Sequence, residues 1–568
     1  MGIALALVMT LLVTPGNTPG GDELGPPNVL IIIADDLGVD RVAAYGEHPD
    51  PGTTPVIDQL AADGVLFRNA WANPVCSATR ATMLTGRYSF STGVGSFIPA
   101  ASAAELSTAW NTIPKFLPPE YHKVAVGKWH LSGNLASYTE HPMLMGFDHH
   151  RGSMFNLIGS QGYFNWLKNT DGTLAPSSTY ATTDAVDEAI GFISEYGAGP
   201  EPEPWFMWLA FNAPHTPNHH PPPALHTFDL PPQTTDPELL TKAMIEAMDT
   251  EIGRLLASIE PAVLANTYVI FIGDNGTGHA ATTAPFIPLQ GKQTIFEGGV
   301  NVPLIIKGPG VVAGAECAAL VSSTDVFSTV ADMAGVKAGT PDSTSLFPYL
   351  SVPDLESMRR WVYGEMFAPD LTLLPTSRQR AARDERYKLH RGLEASGFVD
   401  RFYDLVADPF ESTDLMAAGE LSFDEQLAYD ELDIVLDGLD PIQATTWVNL
   451  GYGLAGSAGV PALVGNGTLL ADDPFSLRVT NAREFAELAL YHGVSYVVAP
   501  FKGGTLVPAP SGTIFGATND VGTFVLAGAW PPGLPLGFTF YFQTWITDPL
   551  GPQGSSATNA LAATTAEP

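Results

Sequence analysis

The chain has 568 residues, and its 45% hydrophobic content is sufficient for the cores of about two to four globular domains. Its 60 acidic and 26 basic residues give a formal net charge of −34. This charge repels nucleic acids and anionic lipid surfaces at long range, which argues against partners of those two classes. An anionic ligand must therefore be held by a local cluster of cationic side chains.

The first residues have the composition of a leader peptide. An apolar stretch at residues 3–13 is too short to span a bilayer but has the length of a signal-peptide core, and Pro, Gly, Asn and Thr follow it. We predict that residues 1–25 are a leader and that the protein is secreted, periplasmic or attached to the cell surface. No later segment has the pattern of a transmembrane helix.

Continuous apolar runs that end at Gly, Pro, Asn or an ionisable residue are typical of strands buried on both faces of a sheet. The chain contains five: NVLIIIADD (28–36), KVAVGKWH (123–130), WFMWLAFNAPH (205–215), YVIFIGDNG (268–276) and VPLIIKGPG (302–310). Segments with helical periodicity lie between them, at 54–64, 182–196 and 236–259. This alternation predicts an α/β fold with a mainly parallel central sheet.

Two changes of composition divide the chain. Residues 27–345 carry the strand and helix alternation, whereas residues 346–440 consist of short segments that predict a small antiparallel sheet followed by an acidic helix at about 422–437. Residues 448–568 are rich in Gly, Pro, Thr and Val, with short strand-like runs between turns, as in a β-sandwich. We expect no catalytic residue in this last module, because it contains no cluster of carboxylates or histidines.

Polar residues directly follow the predicted parallel strands. Ligands of such sheets bind outside the carboxyl ends of the strands, so we expect one rim to carry Asp35, Asp36, Lys128, His130, His215, Asp274 and Asn275. Three carboxylates packed together would raise each other's pKa, whereas a divalent cation would satisfy them. Oxygen ligands favour Ca²⁺ or Mg²⁺ over zinc, so the set Asp35, Asp36, Asp274 and Asn275 predicts a metal site.

Cationic residues are scarce, and three of them are predicted near the same rim. Arg80 lies four residues after Cys76 in PVCSATRATMLTGR (74–87), Lys128 follows a strand, and Lys292 lies in a Gly-rich loop. They would form an anion pocket beside the metal, which suits a tetrahedral oxyanion. Cys76 and Cys317 are the only cysteines, so they form either one disulfide or two separate thiols, of which a lone reactive Cys76 is favoured.

Residues 27–440 resemble the type I sulfatases of the alkaline-phosphatase-like superfamily. The resemblance rests on several short motifs in the order that is usual in the family: NVLIIIADDLG, CSATRATMLTGR, GKWHL, FNAPHTP, GDNG, GKQTIFEGGVNVPLIIKGPG and FYDLVADPFESTDL. It implies a sulfuric ester hydrolase whose Cys76 is converted by a maturation enzyme to formylglycine, the nucleophile being its hydrated aldehyde. One hydroxyl of that diol would attack sulfur and the other would later expel sulfate.

The resemblance also implies roles for the remaining residues. Ca²⁺, or alternatively Mg²⁺, would be bound by Asp35, Asp36, Asp274, Asn275 and the modified Cys76. Arg80 would orient the diol, and the sulfate would be held by Lys128, Lys292 and His215. His215 would protonate the leaving alkoxide, and His130 would accept a proton from the diol. Ala78 departs from the family signature, which usually has proline there; within the family, radical-type maturation enzymes accept alanine.

Two other functions remain open from the sequence. A phosphodiesterase or phosphonate monoester hydrolase of the same superfamily would share the metal and the formylglycine. An unmodified Cys76 would instead leave a protein that binds sulfated glycans, with the C-terminal module attaching it to a surface. Among other residues, we expect His219 and His220 to face solvent, and the segments 152–166 and 365–386 to shape substrate specificity.

Overall fold

The structure is a computed structural model, and it describes residues 25–565 except for short internal segments: 134, 136–137, 158–161, 199–201, 287, 372–374, 395–396, 440–446, 468, 470–472 and 535–537. The predicted leader lies outside the described residues, apart from Gly25. Among the helices that are described, none combines the length and the apolarity needed to cross a membrane.

A ten-stranded sheet forms the centre of the molecule. Its strands in chain order are β1 (Asn28–Ala34), β2 (Val65–Trp71), β3 (His122–Gly127), β4 (His149–Gly152), β5 (Trp166–Thr170), β6 (Thr173–Ser177), β7 (Trp205–Ala210), β8 (Thr267–Gly273), β9 (Leu304–Lys307) and β10 (Ala315–Ser322). Their spatial order is β10-β2-β9-β8-β1-β7-β3-β4-β5-β6. The strands β8, β1, β7, β3 and β4 are mutually parallel.

Helices cover the sheet and connect its strands. The described helices are α1 (Pro55–Ala62), α2 (Cys76–Thr85), α3 (Ser89–Thr92), α4 (Ile113–Phe116), α5 (His141–Leu144), α6 (Ala181–Tyr196), α7 (Pro237–Ser258), α8 (Pro261–Ala265), α9 (Glu297–Val300), α10 (Asp325–Met333), α11 (Phe347–Ser351), α12 (Leu415–Ala418) and α13 (Phe423–Gly438). The helix α7 begins where expected, because the Asp236 side chain accepts the N–H groups of Glu238 and Leu239 and Pro237 suits the first helical position.

The strand β1 shows why a continuous apolar run predicts a central strand. All seven of its residues are buried. Val29, Ile31 and Ile33 belong to the hydrophobic core on one face of the sheet, and the alternate residues Leu30 and Ile32 belong to the core on the other face. Because successive side chains point to opposite faces, a strand with helices on both sides must be apolar throughout.

The direction of β9 differs from that of the other four runs. The segment 302–310 does form a strand, but β9 is antiparallel to both of its neighbours, β2 and β8. The sheet is therefore mainly parallel with antiparallel pairs on both sides of the parallel strands. The polar rim is unaffected, because its residues follow β1, β3, β7 and β8, which lie next to each other in the sheet.

A second, four-stranded antiparallel sheet follows the main one. It consists of β11 (Val362–Ala368), β12 (Ser377–Arg383), β13 (Tyr387–Glu394) and β14 (Gly397–Asp404), in that spatial order. The helix α13 packs on it through Leu432 and Leu436, and starts at a capping box formed by Ser422 and Glu425.

The described part of the C-terminal region consists of β-strands and their connections, apart from one short 3-10 helix at Pro552–Gly554. Its strands are β15 (Trp447–Gly451), β16 (Ala462–Asn466), β17 (Pro474–Thr480), β18 (Glu487–Gly493), β19 (Tyr496–Phe501), β20 (Gly504–Pro508), β21 (Gly512–Ala517), β22 (Phe524–Ala529), β23 (Thr539–Thr547), β24 (Ser555–Ala557) and β25 (Ala560–Thr564). They form a six-stranded, a three-stranded and a two-stranded sheet. The two larger sheets share one core that includes Leu477 of β17 and Leu488 of β18, as expected for a sandwich.

Candidate active site

Cys76 is the first residue of α2, and its side chain is only 1% exposed. Its Sγ lies 3.2 Å from Nδ1 of His130, whose Nε2 lies 3.1 Å from the carbonyl oxygen of Ile98. Because a carbonyl oxygen can only accept, the Nε2–H donates to it and Nδ1 is left to accept from the thiol. Burial holds the pKa of His130 well below its usual value and raises the pKa of the Cys76 thiol. The pair is therefore neutral.

Arg80 lies one helical turn after Cys76 and is completely buried. Its Nε and one terminal nitrogen donate to Oδ2 of Asp274 over 3.0 and 2.7 Å, and the other terminal nitrogen donates to the backbone oxygen of Lys128 over 2.8 Å. Arg80 thus connects the helix of Cys76 with the ends of β8 and β3.

The acidic rim residues come together as predicted. Lys128 forms an ion pair with Oδ2 of Asp35, and Lys292 pairs with Oδ1 of Asp36 at 2.5 Å. Asn275 donates to the same Oδ1 of Asp36 over 2.8 Å. Burial and the adjacent Asp35 carboxylate raise the pKa of Asp274 to about 6 despite its contact with Arg80. Burial opposes the ionisation of Asp35 as well, but the surrounding cations, Lys128 foremost, hold its pKa below the usual range.

The oxygen atoms of this cluster fit a divalent cation. Oδ1 of Asp35 and Oδ1 of Asn275 are buried, and neither finds a hydrogen-bond donor in the described part of the chain. Buried polar atoms are nearly always satisfied, so two such oxygens in one cluster fit coordination to a cation. Ligand atoms of Asp35, Cys76 and Asp274 lie within 4.8 Å of one another, as do those of Asp35, Asp36 and His215. The carboxylate oxygens in these groups, with the amide oxygen of Asn275, are the donors that a hard cation prefers.

A cavity of about 310 Å³ opens above the cluster. Asp36, His215 and Lys292 line it, whereas Lys128 is fully buried and is not among its lining residues. Nε2 of His215 lies 3.9 Å from Oδ2 of Asp36, while its Nδ1 lies 2.6 Å from the carbonyl oxygen of Thr216 and donates to it. Burial lowers the pKa of His215 although Asp36 and Asp35 oppose the effect.

Three residues of the site have left-handed backbone, with φ of 68° at Asp36, 59° at His130 and 66° at Gln293. Such backbone is uncommon for residues other than glycine and concentrates at functional sites. Gly127, at the end of β3, has φ of 84°, and a Cβ there would lie 2.0 Å from the carbonyl oxygen of Ala210. This close approach allows the N–H of Lys128 to donate to that same oxygen over 2.7 Å.

The sequence profile of the family described as Sulfatase matches residues 27–336, more than half of the chain. The chain belongs to the sulfatase family. A second profile, described as N-sulphoglucosamine sulphohydrolase, C-terminal, matches residues 289–428 of the chain. The family resemblance and the predicted α/β fold are thereby confirmed.

Relatives of this chain include human N-acetylgalactosamine-6-sulfatase, which is 30% identical over 351 residues, covering 56% of this chain and 63% of the relative. The Ulvan-active sulfatase of Formosa agariphila is 27% identical over 441 residues, covering 73% of this chain and 81% of the relative. The chain thus spans less than two thirds of the length of the human relative. The crystal structure of Ps i-CgsB in complex with k-i-k-neocarrahexaose has the same fold, with a TM-score of 0.61 and 24% identity over 73% of this chain and 93% of that one.

Two further predictions about this chain are wrong. Cys76 and Cys317 are both free and buried, so the disulfide alternative is wrong. Cys317 lies in β10, ahead of α10. The prediction that His219 faces solvent is also wrong, because its ring packs on Tyr163 with centroids 4.1 Å apart.

Sequence reasoning missed most of the cavity wall. The cavity is lined by Asn218, Thr241, His279 and Gln293 in addition to the predicted residues, and not by the described parts of 152–166 or 365–386. His279 could have been found, because it follows Asn275 by four residues in the loop after β8. Asn218 and Thr241 are small polar residues with no distinguishing pattern.

Proposed function

We propose that this protein hydrolyses sulfate esters of carbohydrates at the rim around Cys76, after conversion of Cys76 to formylglycine and with Ca²⁺, or alternatively Mg²⁺, bound. The observation that carries the proposal is the convergence of unsatisfied buried oxygens and cations on one cysteine. Asp35 and Asn275 supply the unsatisfied oxygens, Asp36 and Asp274 add further carboxylates, and Arg80, Lys128 and Lys292 supply the cations.

When bound, the metal and the formylglycine would supply an acidified hydroxyl nucleophile and charge stabilisation for the sulfate oxygens. Asp35, Asp36, Asp274, Asn275 and residue 76 would hold the metal. With the carboxylates of Asp35 and Asp36 engaged there, the ammonium groups of Lys128 and Lys292 become available to an anion beside residue 76, which both already influence.

The positions of His215 and His130 suggest which proton each of them transfers. His215 lines the cavity, and its Nδ1–H bond to Thr216 leaves Nε2 as the nitrogen that must take up a proton. A sulfate group bound beside the ring would favour this protonation, so we assign the imidazolium as the proton donor to the leaving alkoxide. Nδ1 of His130 is 3.2 Å from the side chain of residue 76 and accepts there, so we assign it as the base for that side chain.

A carbohydrate substrate is supported by the relatives and by the cavity. The names of the relatives refer to N-acetylgalactosamine and ulvan. The wall residues Asn218, Thr241, His279 and Gln293 offer hydrogen-bonding groups, which suit sugar hydroxyls. We further propose that residues 27–345 and 346–440 form the catalytic unit, that residues 448–568 attach the protein to a surface, and that the protein is exported by its leader.

The decisive experiment combines peptide mass spectrometry across Cys76 with activity on sulfated monosaccharides and polysaccharides. Protein co-expressed with a radical-type maturation enzyme, which Ala78 favours, should carry an aldehyde at residue 76 and release sulfate. Cys76→Ala should abolish release while the protein remains folded. Finding only the thiol in active protein, or a much larger kcat/KM on an aryl phosphodiester than on a sulfate ester, would contradict the proposal.

A further inference from the structure

Tyr163 binds the turn that carries His215. Its hydroxyl oxygen lies 2.6 Å from the carbonyl oxygen of Asn212 and 2.7 Å from that of His215. Carbonyl oxygens only accept, so the single hydroxyl proton is shared between the two. The side chain is 2% exposed, and burial raises the pKa of Tyr163 well above its usual value, which keeps the hydroxyl a donor.

The two carbonyl groups belong to one tight turn. The N–H of His215 donates over 3.0 Å to the same Asn212 oxygen that accepts from Tyr163. The hydroxyl of Tyr163 thus bridges the first and last residues of the turn, and it fixes the peptide group directly after His215. The imidazole is fixed in addition by its bond to Thr216.

The ring of Tyr163 holds the continuation of the same loop. It packs on the imidazole of His219, with centroids 4.1 Å apart and 33° between the planes. Nδ1 of His219 donates to the carbonyl oxygen of Pro217 over 2.9 Å, and Nε2 accepts from the Tyr180 hydroxyl at 3.1 Å. Burial lowers the pKa of His219 to about 4, so the ring is neutral. The loop from Asn212 to His219 is therefore attached to Tyr163 at both ends.

The catalytic roles proposed above use no residue of the segment that contains Tyr163. Tyr163 comes from the connection between β4 and β5, whereas His215 follows β7, and the described part of that connection does not line the cavity. Tyr163 itself reaches the site through the backbone of the His215 turn.

We propose that Tyr163 is a positioning residue that sets the orientation of His215 for proton donation to the leaving group. The inference rests on the proposed function, because it takes His215 as the proton donor. A displacement of about 1 Å at a catalytic group can lower a rate by about 100-fold, so the loss of one buried hydroxyl bridge is expected to be visible in kinetics.

The test is Tyr163→Phe, which keeps the ring on His219 and removes only the hydroxyl. Matured enzyme is assayed on two substrates, a sugar sulfate and 4-nitrophenyl sulfate. An alkoxide needs a proton to leave and 4-nitrophenolate does not, so a misplaced proton donor affects the first substrate selectively. We expect kcat/KM to fall about 10-fold or more on the sugar sulfate and less than about twofold on 4-nitrophenyl sulfate.

The matched control is Tyr121→Phe. Tyr121 is equally buried and donates over 2.8 Å to the carbonyl oxygen of Pro27, at the amino ends of β3 and β1, away from the rim. It should leave the ratio of the two kcat/KM values unchanged. His215→Ala removes the proton donor completely, so its ratio of kcat/KM values sets the largest change in selectivity that loss of the donor can cause.

The outcomes separate this inference from the proposed function. If the wild-type enzyme is active and Tyr163→Phe leaves the ratio of the two kcat/KM values unchanged, the inference alone is overturned. The same holds if kcat/KM falls equally on both substrates and the melting temperature also falls, because that pattern indicates a merely structural role. A matured wild-type protein that hydrolyses neither substrate would overturn both proposals.

Discussion

A buried ion network next to the Lys292 loop offers a sharp stability test. Lys388 of β13 is 0% exposed and forms ion pairs with Glu297 at 3.1 Å and Glu411 at 2.9 Å, while Arg383 approaches Glu297 at 3.4 Å. Its ammonium group also lies 4.8 Å from the centre of the Trp71 ring. Two cations thus balance two carboxylates inside the protein.

The perturbation is Lys388→Met, which keeps the length of the side chain but leaves two buried carboxylates against one guanidinium. Removing one partner of a buried ion pair typically destabilises a protein by about 3–5 kcal/mol. Protonation can relieve part of the penalty, because burial already raises the pKa of Glu411 to about 7. We therefore expect a loss near the lower limit, about 3 kcal/mol at neutral pH, and a larger loss as the pH rises.

The assay is urea unfolding of Lys388→Met, Glu411→Gln and the double variant. Adding Glu411→Gln to Lys388→Met removes the excess charge and should recover about 2 kcal/mol, so the two substitutions should not be additive. The control is Lys307→Met, whose partner Asp63 is 39% exposed and which should cost less than about 1 kcal/mol. Additive effects, or equal losses from Lys388→Met and Lys307→Met, would refute the reasoning.

Three further predictions concern the site and the fold. Arg80→Lys should lower kcat/KM by about 100-fold in steady-state assays, since lysine cannot bond Asp274 and the Lys128 carbonyl together; unchanged kinetics would contradict this. EDTA should lower the melting temperature and Ca²⁺ should restore it, whereas Asp35→Asn should show no Ca²⁺-dependent shift; an undiminished shift would exclude Asp35 as a ligand. Burial raises the pKa of Asp249 from 3.8 to about 6, so the native state keeps a proton that the unfolded state loses, and stability should fall by up to about 3 kcal/mol as the pH rises through that range. Asp249→Asn should flatten that slope in unfolding measurements, and a persisting slope would assign it to another group.

The sequence predicts those parts of the fold and site whose residue pattern depends directly on their position in the fold. A strand such as β1, buried on both faces, must be apolar throughout, and Asp35 directly after it must lie at the rim. The direction of β9 could not be predicted, because a short apolar run has the same residue pattern whether its strand is parallel or antiparallel to its neighbours. The strand β2 was missed because Arg68 and Asn69 interrupt its apolar pattern near the edge of the sheet.

The sequence also could not predict contacts between segments that are far apart in the chain. The stacking of His219 on Tyr163 depends on two loops that are brought together only by the sheet, so a Pro-rich sequence context suggested solvent exposure instead. The cavity wall has the same origin: Asn218 and Thr241 are adjacent in space, with Asn218 donating to the Thr241 hydroxyl over 2.8 Å, and neither stands out in the sequence.

The burial of Cys76 limits the stage of folding at which its side chain could be modified. Every residue of α2 is buried, Ala78 and Arg80 at 0% exposure, and Ser77 is bonded to the His130 carbonyl oxygen and to the N–H of Ile98. No enzyme could bind this segment in an extended form without unfolding the helix and separating it from the rim. The proposed conversion of Cys76 to formylglycine would therefore precede folding of the surrounding sheet, and a maturation enzyme would recognise the residues around Cys76, Ala78 among them, in the unfolded chain.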